Sequence, residues 1–219
     1  YSMPEDREIY PLEDIIKDFS IERVGVSGAF FDVKKLDWIN QQYLINNIPE
    51  KDLWGKIKDW GFSDEKMAKV IPLIHTRIKT FGEFMELCQF LFINHIDLTE
   101  ELLCPKGLTK DLSAEILQCM IWSMEAQENW GRTGFETASR EIASLFEVNH
   151  KKVMMRILFA VITGKHQGPP LFDSVEILGK DRTRARLLNG IEFLGGISNK
   201  KMASLKKMWE AKAPHSEHP

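Results

Sequence analysis

Apolar residues recur along most of the chain at the three- and four-residue spacing of an amphipathic helix. One early set keeps to a single helical face: Leu12, Ile15, Ile16 and Phe19. A set in the middle of the chain does the same: Ile116, Leu117, Met120, Ile121 and Met124. No run of alternating apolar and polar residues is long enough to predict a sheet. The pattern therefore predicts an all-α protein.

Capping residues mark several helix ends. Ser63 precedes two acidic residues and is typical of a helix N-cap. Thr80 and Glu83 have the spacing of a capping box. Gly164 and Gly179 follow apolar-periodic stretches, where a glycine commonly ends a helix. These positions predict helices that begin after 63 and 80 and end at 163 and 178.

The weakest join lies at 94–111, around Cys104, Pro105 and Gly107. We expect two helical bundles in series within an elongated molecule, at 1–104 and 105–213, followed by a disordered tail at 214–219. His215 and His218 lie in that tail, where an isolated pair of histidines does not predict a metal site.

Charge is distributed unevenly. Residues 1–105 carry 12 basic and 19 acidic side chains, whereas residues 106–219 carry 17 and 13. Residues 150–212 alone carry 13 basic and 5 acidic side chains. A basic end on an acidic chain is typical of a protein that binds a polyanion, although a solvated helix surface gives the same count.

Composition excludes several classes of protein. Three widely spaced cysteines, at 88, 104 and 119, form neither a disulfide framework nor a zinc pattern, so reduced thiols and a cytoplasmic location are expected. No apolar run approaches the ~18 residues of a membrane helix, and the polar start resembles no signal peptide. The chain begins with Tyr1, so we expect a piece of a longer protein.

Motifs of phosphate-binding loops, dinucleotide folds, zinc proteases and serine hydrolases do not occur. The six histidines have no carboxylate or cysteine at catalytic spacing. We therefore predict no catalytic residue and no metal ligand in this chain.

Two segments carry specific motifs. The first motif consists of Phe31, Asp32, Lys35, Leu36, Trp38, Asn40 and Tyr43. The second lies at 160–164, 169–172 and 178–182. In order and spacing, both resemble the region downstream of the catalytic domain in bacterial-type glutamyl-tRNA synthetases. Trp130 also falls where that family keeps a tryptophan, and the resemblance extends over about 8–210. By their residue types, Leu36, Trp38 and Tyr43 are expected to pack mostly in the core and between helices, and Asp32 to cap a helix.

The resemblance implies an all-helical anticodon-binding region. Residues 1–104 would hold the end of the stem-contact region and the first anticodon-binding subdomain, and 105–213 the second. The partners implied are the anticodon loop of glutamate tRNA and an upstream catalytic domain of the same chain, which would use ATP and Mg²⁺; a monomer is expected. The alternatives are a non-discriminating enzyme that also charges glutamine tRNA, and a helical protein-interaction module.

Arg77 matches the arginine with which the family recognises the third anticodon base, a cytosine. A guanidinium can donate two hydrogen bonds to the O2 and N3 atoms of cytosine. Where the family has glutamine, the enzyme tends to accept glutamine tRNA as well, so Arg77 favours a discriminating enzyme. A surface arginine at a helix end is the other interpretation.

The remaining contacts are expected around α-helical residues 156–163 and the loop that follows. Phe159 stands where the family has an arginine, and Arg156, one helical turn earlier, is predicted to supply the cation. Phe159 itself is expected to be buried, with stacking on a base as the alternative. Thr163 and Leu171 are further candidates, although core packing suits Leu171 equally well. The cations Lys165, Arg182, Arg184 and Arg186 are interpreted as phosphate contacts or solvated charge.

Overall fold

The computed structural model describes residues 8–25, 28, 32–128 and 130–212. In these ranges the regular structure is helical and no strand occurs, which confirms the all-α prediction. The chain divides into two compact units, Tyr1–Phe62 and Ser63–Pro219. Among the described residues, no helix has the length and apolar character needed to span a membrane. Phe31 and the predicted tail at 214–219 lie outside the described residues.

The first unit contains α1 (Leu12–Asp18), a 3₁₀ turn (Ile21–Arg23), α2 (Val33–Asn47) and α3 (Glu50–Gly61). Asp32 caps α2 as predicted, because its carboxylate accepts hydrogen bonds from the backbone N–H groups of the second and third helical residues. The Tyr43 hydroxyl donates to the Tyr10 carbonyl over 3.1 Å. This bond ties α2 to the segment before α1.

The apolar motif residues of α2 are exposed, contrary to the expected core packing. Leu36, Trp38 and Tyr43 all remain accessible, with Trp38 at 40%. Among the described residues of this unit only Gly61 is buried. Because this helical unit is small, it buries only a small part of its surface, and apolar residues on several sides of a helix cannot all be covered.

The second unit is built from nine α-helices in the described part of the chain, together with a 3₁₀ turn at Gln89–Leu91 and a π-helical turn at His150–Met154. The helices are α4 (Asp64–Ile74), α5 (Glu83–Cys88), α6 (Glu100–Leu103), α7 (Lys110–Glu125), α8 (Arg132–Leu145), α9 (Met155–Thr163), α10 (Leu171–Leu178), α11 (Lys180–Phe193) and α12 (Asn199–Lys212).

The core of this unit surrounds α7, which packs against α8, α11 and α12. The predicted apolar face of α7 is buried from Ile116 to Met124, so the periodicity identified the core side correctly. Gly190 of α11 lies against both α7 and α9: a Cβ there would meet Leu117 at 2.9 Å and Val161 at 2.7 Å. The missing side chain lets three helices approach one another closely.

The boundary between the two compact units does not coincide with the subdomain boundary predicted from the sequence. Leu103, in α6, is fully buried, and α6 packs against both α7 and α9. The turn at Cys104–Gly107 therefore connects parts of one unit, and the join between compact units lies at 62 and 63. The assignment of 1–104 and 105–213 to stem-contact and anticodon-binding parts stays a prediction.

Local capping signals were right at some helix ends and wrong at another. Ser63 caps α4 through a hydrogen bond from Lys66 N, and Gly164 ends α9 in the left-handed region with φ 71°. The capping box predicted at Thr80 does not form. The helix begins only at Glu83, whose carboxylate accepts from Lys79 N over 2.7 Å, so Thr80 lies before the helix.

Candidate nucleic-acid interface

One segment of the second unit combines cations with a complete lack of acidic residues. Residues 148–172 contain four Lys or Arg and two His, but no Asp or Glu. This segment includes the π-helical turn, α9 and the loop to α10. Its uniform sign of charge makes it the strongest candidate for contact with a polyanion.

Arg77 lies apart from that segment, in the turn that follows α4. Its N–H donates to the Ile74 carbonyl over 2.7 Å, which fixes the backbone of the turn. The side chain is exposed and makes no hydrogen bond or ion pair with the described residues. All of its guanidinium donors are therefore available to a ligand.

Arg156 and Phe159 differ in exposure although they lie one turn apart on α9. Arg156 is exposed, whereas Phe159 is half-buried, with its Cε1 atom 3.8 Å from the Cβ position of Gly168. The expected full burial of Phe159 is thus only partly realised. Arg156 is free to meet a ligand, and Phe159 supports the loop that carries Gly168.

Thr163 has a well-defined structural task. Its hydroxyl donates to the Phe159 carbonyl over 2.8 Å and accepts from the N–H of Lys165 over 3.2 Å. The side chain therefore joins the last turn of α9 to the loop. Its hydroxyl proton is already used within the chain, so the direct RNA contact predicted for Thr163 would involve only the oxygen.

Lys165 holds the loop against α5. Its ammonium group donates to the carbonyl of Glu86 over 2.8 Å and remains half-buried. A small pocket, open to solvent, lies beside this contact. Its walls come from the end of α5, the 3₁₀ turn and the loop: Glu86, Leu87, Gln89, Phe90, Thr163, Lys165, Gln167, Gly168 and Pro169.

Leu171 and Arg182 are both occupied within the fold. Leu171 is only 3% exposed, which favours the core-packing interpretation over contact with a base. The guanidinium of Arg182 donates to the carbonyl of Leu91 over 3.0 Å and to the side-chain oxygen of Asn94 over 3.2 Å. Arg182 therefore anchors α11 to the segment after the 3₁₀ turn.

Arg186 is a buried structural cation, and its interpretation as an exposed phosphate contact is wrong. It is 3% exposed and donates to the carbonyls of Ile162, Phe90 and Ile93, the last over 2.9 Å. Burial, reinforced by the neighbouring charge of Arg182, lowers the pKa of Arg186 to about 10, which leaves it cationic at neutral pH.

A sequence signal for this burial exists. Thr183 and Gly190 lie three residues before and four after Arg186, on its face of α11, and both are buried. Small residues on both sides of a cation indicate that its helix face is covered. Arg184, in contrast, is exposed and pairs with Glu125 over 2.6 Å.

The described ranges bring no set of metal-ligating side chains together, and two of their three cysteines are buried. No group of three or more His, Cys, Asp or Glu side chains is placed there to hold a metal ion. Cys88 and Cys119 are buried free thiols, and burial raises their pKa values to about 11 and about 12. Neutral, buried thiols of this kind are chemically inert.

Comparison with known proteins adds an independent line of evidence. A family model described as an anticodon binding domain matches residues 41–191. The glutamate–tRNA ligase of Protochlamydia amoebophila (strain UWE25) is 60% identical over 213 residues, which are 97% of this chain and 42% of that protein. The glutamate–tRNA ligase of Chlamydia abortus is 41% identical over 208 residues, which are 95% of this chain and 41% of that protein.

A solved structure has a similar fold. The crystal structure of a glutamate tRNA ligase from Elizabethkingia meningosepticum superposes with a TM-score of 0.52 at 24% identity, covering 89% of this chain and 39% of that one. The chain thus spans about two-fifths of the length of these relatives. Because the family model covers most of the chain, this protein belongs to the anticodon binding domain family, as its resemblance to glutamyl-tRNA synthetases predicted.

Proposed function

We propose that this chain recognises the anticodon of glutamate tRNA as part of a glutamate–tRNA ligase. The observation that carries the proposal is the family match over 41–191, together with ligase relatives that are similar over nearly the whole chain. In this proposal the rest of the polypeptide, which includes the catalytic domain, activates glutamate with ATP and Mg²⁺. The enzyme would act in the cytoplasm as a monomer.

The contribution of this chain is recognition rather than chemistry. Its described residues include no cluster that fits Mg²⁺, so no step of the ligation is assigned to them. Anticodon bases lie in a single-stranded loop, where a protein can unstack them and contact their Watson–Crick edges. A helical surface that is rigid before binding loses little conformational entropy when it holds those bases.

Arg77 is proposed to recognise the third anticodon base. Its guanidinium is exposed and unpaired among the described residues, on a turn whose backbone is fixed by the bond to Ile74. Two donors of the planar group match the O2 and N3 acceptors of cytosine. On its Watson–Crick edge a guanine has N1–H and N2–H donors where cytosine has these two acceptors, so this particular contact would not form.

The rim of the pocket beside Lys165 is proposed to lie against the anticodon loop. The bond from Lys165 to Glu86 and the two hydrogen bonds of Thr163 keep this rim in place. Gln89 and Gln167 are among the residues that line the pocket. In this arrangement Thr163, Leu171 and Arg182 act chiefly by holding the surface, and Arg156 acts by direct contact.

The proposal is tested by binding of two anticodon stem-loops, one with the glutamate anticodon and one with guanine replacing the third-position cytosine. We expect the wild type to prefer cytosine, and Arg77→Gln to reduce that preference by ~1–3 kcal/mol, as for other bidentate base contacts. Lys69→Gln removes an exposed cation from α4 with the same change of charge and should leave the preference intact.

Other results would contradict parts of this proposal. If Arg77→Gln weakens both stem-loops equally, Arg77 contacts phosphate and does not read this base. If the wild type binds both stem-loops equally, the enzyme is non-discriminating at this base. If the wild type binds neither stem-loop, anticodon recognition by this chain is wrong and the protein-interaction module becomes the better description.

A further inference from the structure

Three exposed cations cluster where the π-helical turn passes into α9. Lys151 and Lys152 belong to the turn, and Arg156 lies one turn further along. None of the three side chains makes a hydrogen bond or an ion pair with any residue that the structure describes. We call these residues the α9 patch.

The α9 patch places cations near the amino end of a helix, where positive charge is electrostatically unfavourable. The amino end of a helix carries partial positive charge and is normally matched by acidic residues. Asp64 and Glu65 do this at α4, whereas neither the π-helical turn nor α9 has an acidic residue in its first turn. No acidic residue offsets the two lysines at this end, an arrangement that α2 and α12 share.

The backbone beneath the α9 patch is firmly held. The side chain of Asn149 accepts from the N–H of Lys152 over 2.8 Å, and His150 Nε2 lies 2.9 Å from Ser139 Oγ on α8. Met154 and Ile157 are fully buried on the opposite side. The cations thus extend from a rigid support, although their own side chains are free.

The surroundings favour a phosphate polymer over a protein as the partner. Between 94 and 187, no large apolar side chain is exposed among the described residues. Protein interfaces depend on buried aromatic or aliphatic anchors, and none is available here. Phosphates need only closely spaced cations, which Lys151, Lys152 and Arg156 supply within the acid-free segment 148–172.

We propose that the α9 patch binds the sugar–phosphate backbone of the tRNA and reads no base. The inference rests on the proposed function and extends it, because it assigns Lys151 and Lys152 to RNA binding and makes Arg156 a phosphate contact. Its energetic contribution is electrostatic: each neutralised phosphate releases condensed counterions, so affinity falls as salt rises. Base contacts elsewhere would then supply the specificity.

The test compares the double variant K151Q/K152Q with wild type and with K200Q/K207Q. The control removes two exposed cations from α12, which make no pairs among the described residues, and it changes the net charge equally. Binding of both anticodon stem-loops is measured from about 50 mM to about 200 mM salt. We expect K151Q/K152Q to weaken both stem-loops by the same factor and to reduce the slope of log K against log salt by about 1.5, and the control to change neither.

The outcomes separate this inference from the proposed function. An unchanged slope in K151Q/K152Q, or an equal reduction in the control, overturns the α9 patch even if the wild type still prefers cytosine. A reduced slope specific to K151Q/K152Q supports it even if the wild type has no anticodon preference. A loss confined to one stem-loop overturns it as well, because the patch would then be reading a base. Absence of RNA binding by the wild type overturns both proposals.

Discussion

Gly190 of α11 faces Val161 of α9 so closely that a Cβ on Gly190 would lie 2.7 Å from the Val161 Cγ2 atom. Gly190→Ala should therefore force these helices apart or displace Val161 and Leu117, both of which are fully buried. We expect the free energy of unfolding to fall by ~1–3 kcal/mol, the usual cost of overpacking. The free energy of unfolding is measured by denaturant titration, with circular dichroism as the signal.

Gly55 provides the matched control for that substitution. It lies within α3, and nothing is within 4 Å of its Cβ position. Gly55→Ala should stabilise the first unit by ~0.5–1 kcal/mol, because alanine loses less conformational entropy than glycine on helix formation. A Gly190→Ala variant as stable as wild type would show that the contact with Val161 relaxes without cost.

Arg186→Met should be among the most destabilising single changes in the second unit. It removes the buried donor of the Ile162, Phe90 and Ile93 carbonyls and leaves them without their charged partner. We expect a loss of ~3 kcal/mol or more in unfolding free energy. Arg184→Gln breaks an exposed ion pair and should cost at most ~1 kcal/mol; comparable losses would contradict the structural role of Arg186.

His150 should make stability depend on pH. Burial, followed by the charges of Arg140 and Lys151, lowers the pKa of His150 from its ordinary 6.5, although Glu136 opposes this shift. Between the folded and unfolded pKa values the unfolded chain binds more protons. The stability contributed by neutral His150 is therefore fully present above about pH 6.5 and lost as the pH falls through the folded value.

The measurement for His150 is the free energy of unfolding at about pH 7.5 and about pH 5.5, for wild type and His150→Asn. We expect the decrease between these two conditions to be smaller in the variant. The same substitution at the exposed His75 serves as a control. An identical decrease in wild type and His150→Asn would contradict the assignment.

The residues Glu147, after α8, and Gly195, after α11, both adopt a left-handed backbone conformation, so substitutions at these two positions should have opposite effects on stability. After α8, Glu147 adopts φ 54°, and Val148 N bonds the Ala143 carbonyl; after α11, Gly195 takes the equivalent position with φ 102°. Glu147→Gly should raise the unfolding free energy by ~1 kcal/mol, because a left-handed conformation strains any residue with a Cβ. Gly195→Ala should lower it by about the same amount. Thermal unfolding of both variants checks the pair, and a destabilised Glu147→Gly would contradict it.

Local signals in the sequence were enough for the helices and many of their ends. Asp32 and Ser63 cap helices because their side chains reach N–H groups two or three residues away, which sequence spacing alone reveals. The glycine that ends α9 was predicted on the same local basis. The prediction at Thr80 was wrong because the backbone there forms a bend, and the Glu83 carboxylate accepts a hydrogen bond from the N–H of Lys79 instead.

Roles that depend on distant partners could not be predicted. Arg182 and Arg186 donate hydrogen bonds to carbonyl groups about 90 positions earlier in the chain. The sequence around the two arginines does not indicate those partners. Leu171 is buried for the same kind of reason. The exposed cations Arg77 and Arg156 were identified through the family resemblance, and the structure agrees with their exposure; their contacts with RNA stay predictions.

The π-helical turn takes up one extra residue without interrupting the helix that contains α9. Met154 N reaches back five positions to the Asn149 carbonyl, so the turn contains one residue more than an α-helical turn would. Deleting Val153 would return the ladder to its ordinary spacing and place Lys151 and Lys152 four and three residues before Arg156. Residues at those separations share one face of an α-helix, so a chain shortened by this residue would still hold the three cations together.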